Sequence, residues 1–334
     1  MKGFCVLGLI TFFVIVVTSN DTDIPSYRRI LIDSISDETL RAVCQSFERS
    51  DASVSKSLPV TDATKKERIV GTSQKPRKNK GISRNNLPLN FDAREKWMQC
   101  SSLNFIQDQG PCWSGWAVAA VSAMTDRFCV QSKGRRNVYF SALDVMTCCM
   151  DCGSPCNGGL LKNAWMYGLK TGIVSGGDNG CRPYNIPPCE HSNNRTIIGP
   201  CLHTKSVLNL TCQKKCQPSF KKPYKQDLIR LKFVYNLTDT RKIMLDIYRN
   251  GPVTTTFEVY EDFVQYTGGV YRYAFGKTLG YQSVKLLSWG EENGVKYWLA
   301  ANSWGRSWGD NGFFKIVRGI NHLGIEDVAY AGTF

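Results

Sequence analysis

The chain has 334 residues, of which 42% are hydrophobic and 21% charged, and its formal net charge is +14. This length accommodates one or two domains with a substantial buried core, and the composition is ordinary for a globular protein. The basic side chains are scattered except for a run at residues 75–80, and no nucleic-acid-binding motif accompanies them. A nucleic-acid partner is therefore not expected.

The N-terminus has the pattern of a secretory signal peptide. Met1 and Lys2 precede an apolar run over residues 4–17, which ends in small and polar residues. We predict a signal peptide over residues 1–19. The run is too short for a typical membrane span, although a membrane anchor is the alternative interpretation. No second long apolar run follows, so the mature protein is expected to lack a span and to reach a lysosome, a gut lumen or the extracellular space.

Residues 20–86 are polar and are interpreted as a detachable pro-segment. Ser36 is a candidate N-cap for one short amphipathic helix that contains Leu40 and Val43. Ser, Thr, Lys and Asn then dominate up to a basic, exposed and cleavable end. The alternative is a disordered tail without a role.

Cysteine usage also indicates export. The chain has 14 cysteines; Cys5 lies in the predicted signal, Cys44 lies alone, and the other twelve fall between Cys100 and Cys216. An even, dense set in an exported chain predicts a disulfide framework. A zinc site at residues 148–152 is the alternative, but the oxidising compartment and the shortage of histidine argue against it. We expect neither a metal nor another cofactor.

Three Asn-x-Ser/Thr sequons fit surface positions in a secreted protein. The predicted glycosylation sites are Asn194, Asn209 and Asn236.

The compact part of the chain begins near Leu87 and changes character along its length. Apolar residues recur at three- and four-residue spacing in residues 114–131, which predicts a helix with a buried face and Ser114 as a candidate N-cap. Residues 148–224 are rich in Gly, Pro, Asn and Cys, which is typical of stapled loops. Four β-rich runs follow, at residues 252–260, 283–289, 297–302 and 312–317. A helix-rich half followed by an antiparallel β half predicts an α+β, two-lobed architecture.

Several motifs carry a resemblance to a known family. Residues 108–117, at the entry to the predicted helix, resemble the papain and cathepsin pattern Gln-Gly-x-Cys-Gly-Ser-Cys-Trp. Six further stretches are similar to cathepsin B, at residues 90–97, 147–149, 156–159, 181–191, 223–227 and 301–314.

Residues 87–334 thus resemble a papain-family cysteine peptidase of the cathepsin B type. The resemblance implies a papain-like fold with a helical left lobe over about 87–225 and an antiparallel β right lobe over about 226–334. The segment 181–216 resembles the occluding loop that distinguishes cathepsin B.

The family mechanism uses a Cys at a helix N-terminus, a His as base and acid, an Asn that orients the His, and a Gln in the oxyanion site. By resemblance, Gln109 is the oxyanion residue and Asn302 the orienting residue. The nucleophile position, however, holds Gly115, and the base position holds Gln282. Glycine has no nucleophile, and an amide has no proton-accepting pKa near neutrality.

Neighbouring groups are poor substitutes for these losses. Cys112 precedes a Trp, but the resemblance pairs it with Cys156, and Ser114 lacks a base. None of the three histidines, His191, His203 and His322, matches the base position. The disulfides implied by the resemblance are Cys100–Cys129, Cys112–Cys156, Cys148–Cys212, Cys149–Cys152, Cys181–Cys216 and Cys189–Cys201.

The resemblance also assigns residues to the substrate cleft. Gly158 and Gly159 belong to it, and Trp304 covers the orienting Asn. Tyr281 stands where the family usually has Gly, which predicts a narrower cleft. Val328 stands where cathepsin B has an acidic residue, which predicts a more apolar pocket.

In the predicted occluding loop, His191 is followed by Ser192, whereas cathepsin B has two adjacent histidines that hold a substrate's C-terminal carboxylate. His191 is still able to pair with Asp108 and latch the loop; the alternative is an exposed loop histidine.

Three hypotheses of function follow. The favoured one is a non-catalytic, monomeric protein that binds peptides or cystatin-type inhibitors and, before processing, its own pro-segment. The alternatives are an active cysteine endopeptidase with displaced chemistry and a decaying gene product with no selected role.

Overall fold

The computed structural model describes residues 87–191, 201 and 210–334. The predicted signal peptide and pro-segment lie outside the described residues, as do Ser192, Asn194, Asn209 and His203. Within the described part of the chain, no helix is long and apolar enough to cross a membrane.

The first half is mainly helical. A two-residue strand β1 opens it, and a 3₁₀ turn lies between the first two helices. The helices are α1 (Ala93–Lys96), α2 (Gly115–Gln131), α3 (Ala142–Cys148), α4 (Leu161–Lys170) and α5 (Tyr224–Asp227), while β1 is Phe91–Asp92 and the 3₁₀ turn is Ser101–Asn104.

Helix α2 is the predicted helix, but it is buried on nearly all sides rather than on one face. The reason is its central position, because it contacts α3 and α4 on one side and the β-sheet on the other. The small residues Ala117, Ala120 and Ala123 are fully buried, which allows this close packing.

The second half forms one eight-stranded sheet in the order β2-β8-β3-β5-β6-β7-β4, with β1 paired to β5. All pairs are antiparallel except β4 with β7. The elements are β2 (Phe233–Leu237), α6 (Thr240–Asn250), β3 (Val253–Tyr260), α7 (Glu261–Val264), β4 (Val270–Tyr271), β5 (Thr278–Glu292), β6 (Val295–Ala301), β7 (Phe313–Val317), a 3₁₀ turn (His322–Gly324) and β8 (Ala329–Thr333). The predicted α+β class is confirmed.

Two large hydrophobic clusters correspond to the two lobes, but the chain does not divide cleanly between them at residue 225. Phe91, Trp97 and Leu103, near the start of the described chain, pack in the cluster of the β-rich half. Phe334 packs against Phe128 of the helical half. Each end of this region therefore contributes to the other lobe and fastens the two together.

The long loops between α3 and α5 are held by disulfides. The described residues contain six disulfide bonds, and they join the six pairs that the resemblance implies. Since such cross-links restrict the unfolded chain, they replace the core contacts that this Gly- and Pro-rich stretch lacks.

Candidate functional site

Helix α2 begins at Gly115, and the residue before it does not cap the helix with its side chain. The prediction for Ser114 was therefore right about its position and wrong about its hydrogen bond. Its hydroxyl lies 2.7 Å from the hydroxyl of Tyr184, which itself donates to the carbonyl oxygen of Gln109 at 2.8 Å. Ser114 must then be the donor, because the single Tyr184 proton is already used. Burial raises the pKa of Tyr184, so this chain of hydrogen bonds stays protonated.

A cluster of uncharged side chains faces the start of α2. Gln282, on β5, donates its Nε2 protons towards Asn302 Oδ1 at 2.9 Å, Ser303 Oγ at 3.0 Å and Gln109 Oε1 at 3.2 Å. Ser303 Oγ in turn donates to Gln109 Oε1 at 2.6 Å. All four side chains are buried. We call this set, Gln109, Gln282, Asn302 and Ser303, the amide cluster.

Two backbone contacts fix the amide cluster on its elements. The backbone N–H of Gln109 donates to the carbonyl oxygen of Ser303 at 2.8 Å, which joins the loop before α2 to the end of β6. Gln109 Nε2 donates to the carbonyl oxygen of Cys112 at 2.9 Å. The side chain of Gln109, the predicted oxyanion residue, is therefore held against its own loop.

Gly115 lies directly under the amide cluster. A Cβ atom added at this residue would lie 2.7 Å from Gln282 Oε1 and 2.9 Å from Gln109 Oε1. Gly115 is not among the residues with positive φ, so its backbone does not require glycine. The requirement is space, because the two amide groups fill the volume that a side chain at residue 115 would occupy.

Among the described residues, no free thiol lies near this position. Every cysteine that the structure describes belongs to a disulfide, including Cys112, which is bonded to Cys156. The two described histidines are engaged elsewhere. His191 Nε2 lies 2.9 Å from Asp108 Oδ1, and His322 Nε2 accepts a hydrogen bond from the backbone of Tyr273 at 3.0 Å.

Comparison with known proteins identifies the architecture around this position. The family model described as papain family cysteine protease matches residues 87–333. The chain belongs to the papain family of cysteine proteases.

Its relatives within the family are of the cathepsin B type. The chain is 43% identical over 252 residues to "Cathepsin B-like cysteine proteinase 6" of Caenorhabditis elegans, a match that spans 74% of this chain and 66%, just under two thirds, of that protein. It is also 43% identical over 251 residues to "Cathepsin B-like cysteine proteinase" of Schistosoma japonicum, over 74% of this chain and 73% of that one. Among solved structures, procathepsin B S9 of Trypanosoma congolense matches with a TM-score of 0.64 and 35% identity, over 75% of this chain and 78% of that chain.

The predicted cleft residues of this papain-family chain differ in their surroundings. An added Cβ at Gly158 would meet no atom within 4 Å, whereas one at Gly159 would lie 2.5 Å from the ring of Trp116. Gly158 therefore leaves open space, and Gly159 permits close packing against α2. Tyr281, next to Gln282 on β5, is 76% exposed.

A small pocket of about 220 Å³ lies next to Tyr281 and contains Leu323, Val328 and Asp327. Val328 makes part of its wall apolar, and Asp327 also lines it. Glu326 does not line this pocket, because its carboxylate is buried and accepts hydrogen bonds from Trp298 Nε1 and the backbone of Gly319, each at 2.8 Å.

The described part of the predicted occluding loop is attached to the rest of the protein. The side chain of His191 is only 6% exposed, pairs with Asp108 and stacks on Trp304 with ring centroids 5.6 Å apart. Of the two interpretations, the geometry matches the latch rather than an exposed loop histidine. Cys189 and Cys201 lie close enough to His191 to suggest a metal site, but their sulfurs form a disulfide.

Two residues of the site were missed by the sequence analysis. Ser303 connects Gln109 and Gln282, and Tyr184 binds Ser114. Both lie inside motifs that were recognised, next to Asn302 and within residues 181–191. The hydroxyl group of each could have identified it, since a hydroxyl beside a predicted site residue is a candidate hydrogen-bond partner.

Proposed function

We propose that this chain is a cathepsin B-like pseudoprotease that binds peptides or cystatin-type inhibitors in its cleft without cleaving them. The observation that carries the proposal is the contact between Gly115 and the amide cluster. Gln282 takes the hydrogen bond to Asn302 that the resemblance assigns to the base, and its amide fills the place of the nucleophile's side chain.

The chemistry of the amide cluster supports the proposal. Its members are three carboxamides and one hydroxyl, none of which accepts a proton near neutral pH. Loss of the nucleophile or the base from a catalytic triad lowers kcat by a factor on the order of 10⁶, which is roughly 8 kcal/mol of barrier. An active peptidase with displaced chemistry would need a free thiol, and each described cysteine is in a disulfide.

The wider proposal follows the sequence. Residues 1–19 direct export, residues 20–86 are a pro-segment, and residues 87–334 form the binding domain. Export to an oxidising compartment agrees with the disulfides, and Asn236, which is exposed on β2, is accessible for glycosylation.

The test restores the two missing groups. The full chain, processed as it is secreted, is assayed with a fluorogenic peptide amide and an epoxide probe that alkylates active thiolates. We expect no cleavage and no labelling. The double variant Gly115→Cys/Gln282→His is expected to show labelling and cleavage at least roughly 10³-fold above background. Labelling of the unmodified chain would show that it retains a reactive thiolate and would overturn the proposal.

A matched control separates an activated thiolate from an ordinary exposed thiol. Gly268→Cys/Gln282→His introduces the same two residue types, and an added Cβ at Gly268 meets no atom within 4 Å. This control should not be labelled. If Tyr281 narrows the cleft, adding Tyr281→Gly to the active double variant should raise kcat/KM further, since its exposed ring would no longer cover the cleft.

Binding is measured separately with immobilised cystatin and the unmodified chain. We expect saturable binding, and Gly158→Trp, which fills the open space of the cleft, should weaken it. Because the φ of +96° at this residue strains any side chain, Gly158→Ala is the matched control and should retain binding. Absence of binding to both cystatin and a peptide library would contradict a decoy or carrier role.

A further inference from the structure

A second, larger cavity lies beside α2 and is separate from the small pocket at Tyr281. Its volume is about 710 Å³, and Val118, Val121 and Phe105 form part of its wall. Neither Gly115 nor Gln282 lines it. Cavities of this size hold small organic ligands rather than only water. Asn302 and Ser303 of the amide cluster line one side of this chamber, and its other walls take no part in the proposed peptide-binding role.

The inner wall of the chamber offers hydrogen-bond donors. Asn302, Gln107 and Lys285 line it. Asn302 Nδ2 and Gln107 Nε2 are buried and have no hydrogen-bond partner among the described residues. An unsatisfied buried polar group costs about 1–3 kcal/mol. Both groups are amide nitrogens, so the partner that each lacks is a hydrogen-bond acceptor. Asn302 is held through its Oδ1 by Gln282 and by the backbone N–H of Ser303, which leaves Gln107 as the donor for a ligand.

The charge of the inner wall favours a neutral acceptor over an anion. Lys285 Nζ is 2.7 Å from Asp126 Oδ2, and both side chains are fully buried. The positive charge is therefore already neutralised, and a second buried carboxylate would pay for desolvation without a free counter-ion.

The outer wall suits an aromatic body. The rings of Phe105 and Tyr139 meet edge to face with centroids 5.1 Å apart, and Phe105 is 44% exposed. Asp178 is also part of this exposed side. A ligand would therefore enter with its polar head towards Gln107 and pack its rings against these aromatic side chains.

We infer that this chamber binds a neutral, flat aromatic compound that carries a carbonyl oxygen as its head group. The carbonyl accepts a hydrogen bond from the amide of Gln107. The rings pack against Phe105, Tyr139 and the valines of α2. This ligand site is independent of whether the chain cleaves peptides.

The probe for the test is prodan, a naphthalene ketone whose emission shifts to the blue in apolar surroundings. It is titrated into the full chain. We expect a saturable blue shift with a Kd of roughly 10–200 µM, the affinity that ligand efficiency allows a compound of this size. Absence of a saturable shift would overturn the inference.

A pair of glycine variants locates the binding. Gly177 lines the chamber, and an added Cβ there meets only Tyr139 at an ordinary 3.7 Å, so Gly177→Phe places a ring inside without a backbone clash. Gly268→Phe is the matched control outside the chamber. Prodan binding should be lost in the first variant and retained in the second, with both melting temperatures recorded. Equal binding by two folded variants would place the probe elsewhere and refute the site.

A head-group variant tests the acceptor and remains decisive if Gly177→Phe does not fold. Gln107→Leu should weaken prodan about threefold to tenfold, the effect of one neutral hydrogen bond. It should leave the binding of naphthalene, which has no carbonyl, unchanged. An equal change for both compounds, or none for prodan, would refute recognition of the carbonyl.

Discussion

Two polar networks connect helix α2 and the loop before it to the β-rich half, and they differ in charge. At the first residue of the helix, the amide cluster faces Gly115 through neutral groups alone. Three turns further along, Asp126 pairs with Lys285 at 2.7 Å, and Arg127 pairs with Asp246 at 2.9 Å. The first network contains the two positions that the resemblance assigns to a reactive pair, whereas the second consists of ion pairs between the two lobes.

The two networks differ in what it costs to break them. A buried ion pair is costly to break because each partner left behind is an uncompensated charge. Breaking a neutral hydrogen-bonded cluster costs less, since each of its hydrogen bonds contributes about 0.5–1.5 kcal/mol to stability. Residues facing the start of α2 can therefore be substituted at a modest cost in stability, whereas removal of one member of an ion pair along α2 is strongly destabilising.

The largest expected effect on stability tests the charged network. Lys285→Met leaves the carboxylate of Asp126, whose pKa is already raised by burial, without its cation. We expect the free energy of unfolding to fall by about 3–5 kcal/mol. Gln282→Met, in the neutral network, should cost only about 1–2 kcal/mol. Chemical denaturation of both variants measures the difference.

The control for this comparison replaces the whole pair. Asp126→Leu/Lys285→Met removes both charges, and it should be more stable than Lys285→Met alone. Equal losses for Lys285→Met and Gln282→Met would show that the two networks do not differ as proposed.

The start of α2 also shows how much of the site the sequence predicts. The spacing of apolar residues predicts α2. The register of the recognised motifs places Gly115 at the predicted nucleophile position and Gln282 at the predicted base position. The register does not reveal that the amide of Gln282 fills the space above Gly115, because that depends on how β5 approaches α2.

Other features were also beyond the sequence patterns. Strands β2, β4 and β8 were not predicted, since β4 has two residues and β8 reads Ala-Tyr-Ala-Gly-Thr, without the bulky alternation that marks a strand. Asp327 lines the pocket beside Val328 because of the fold of the adjacent 3₁₀ turn, and no spacing rule predicts that fold. The chamber beside α2 is formed by segments far apart in the chain and has no motif.

An intermediate effect tests the space at Gly115. In a helix, alanine is normally favoured over glycine by up to about 1 kcal/mol. Here an added Cβ would lie 2.7 Å from Gln282 Oε1, so Gly115→Ala should instead destabilise the chain by about 1–2 kcal/mol. In the background Gln282→Ala the same change should cost less, because only the contact with Gln109 Oε1 at 2.9 Å remains.

This double-mutant cycle isolates the contact between residues 115 and 282. Thermal and denaturant unfolding of the four proteins supply the values. Additive effects, with no coupling between the two substitutions, would mean that Gln282 does not restrict residue 115.

The smallest expected effect is a pH dependence, and it lies outside both networks. The amide cluster does not titrate, but burial lowers the pKa of His322, with Arg272 lowering it further. Its Nε2 accepts a hydrogen bond from the backbone of Tyr273, and protonation would remove that acceptor. A histidine with a lowered folded-state pKa binds fewer protons in the folded state than in the unfolded state. Its contribution to stability is therefore present above the ordinary value of 6.5 and is lost as the pH falls from there through the folded-state pKa.

NMR titration of the imidazole measures this directly. We expect a His322 pKa below 6.5 and a modest loss of stability in that acidic window, discounted because the ring is only partly buried. His322→Gln keeps a carbonyl acceptor for the Tyr273 amide and should flatten the dependence. Since Leu323 and Gly324 line the pocket beside Tyr281, the protonated form should also loosen peptide binding there, while Gly115 and the amide cluster respond to no pH change in this range. A measured His322 pKa at or above 6.5 would contradict the predicted loss of stability in acid.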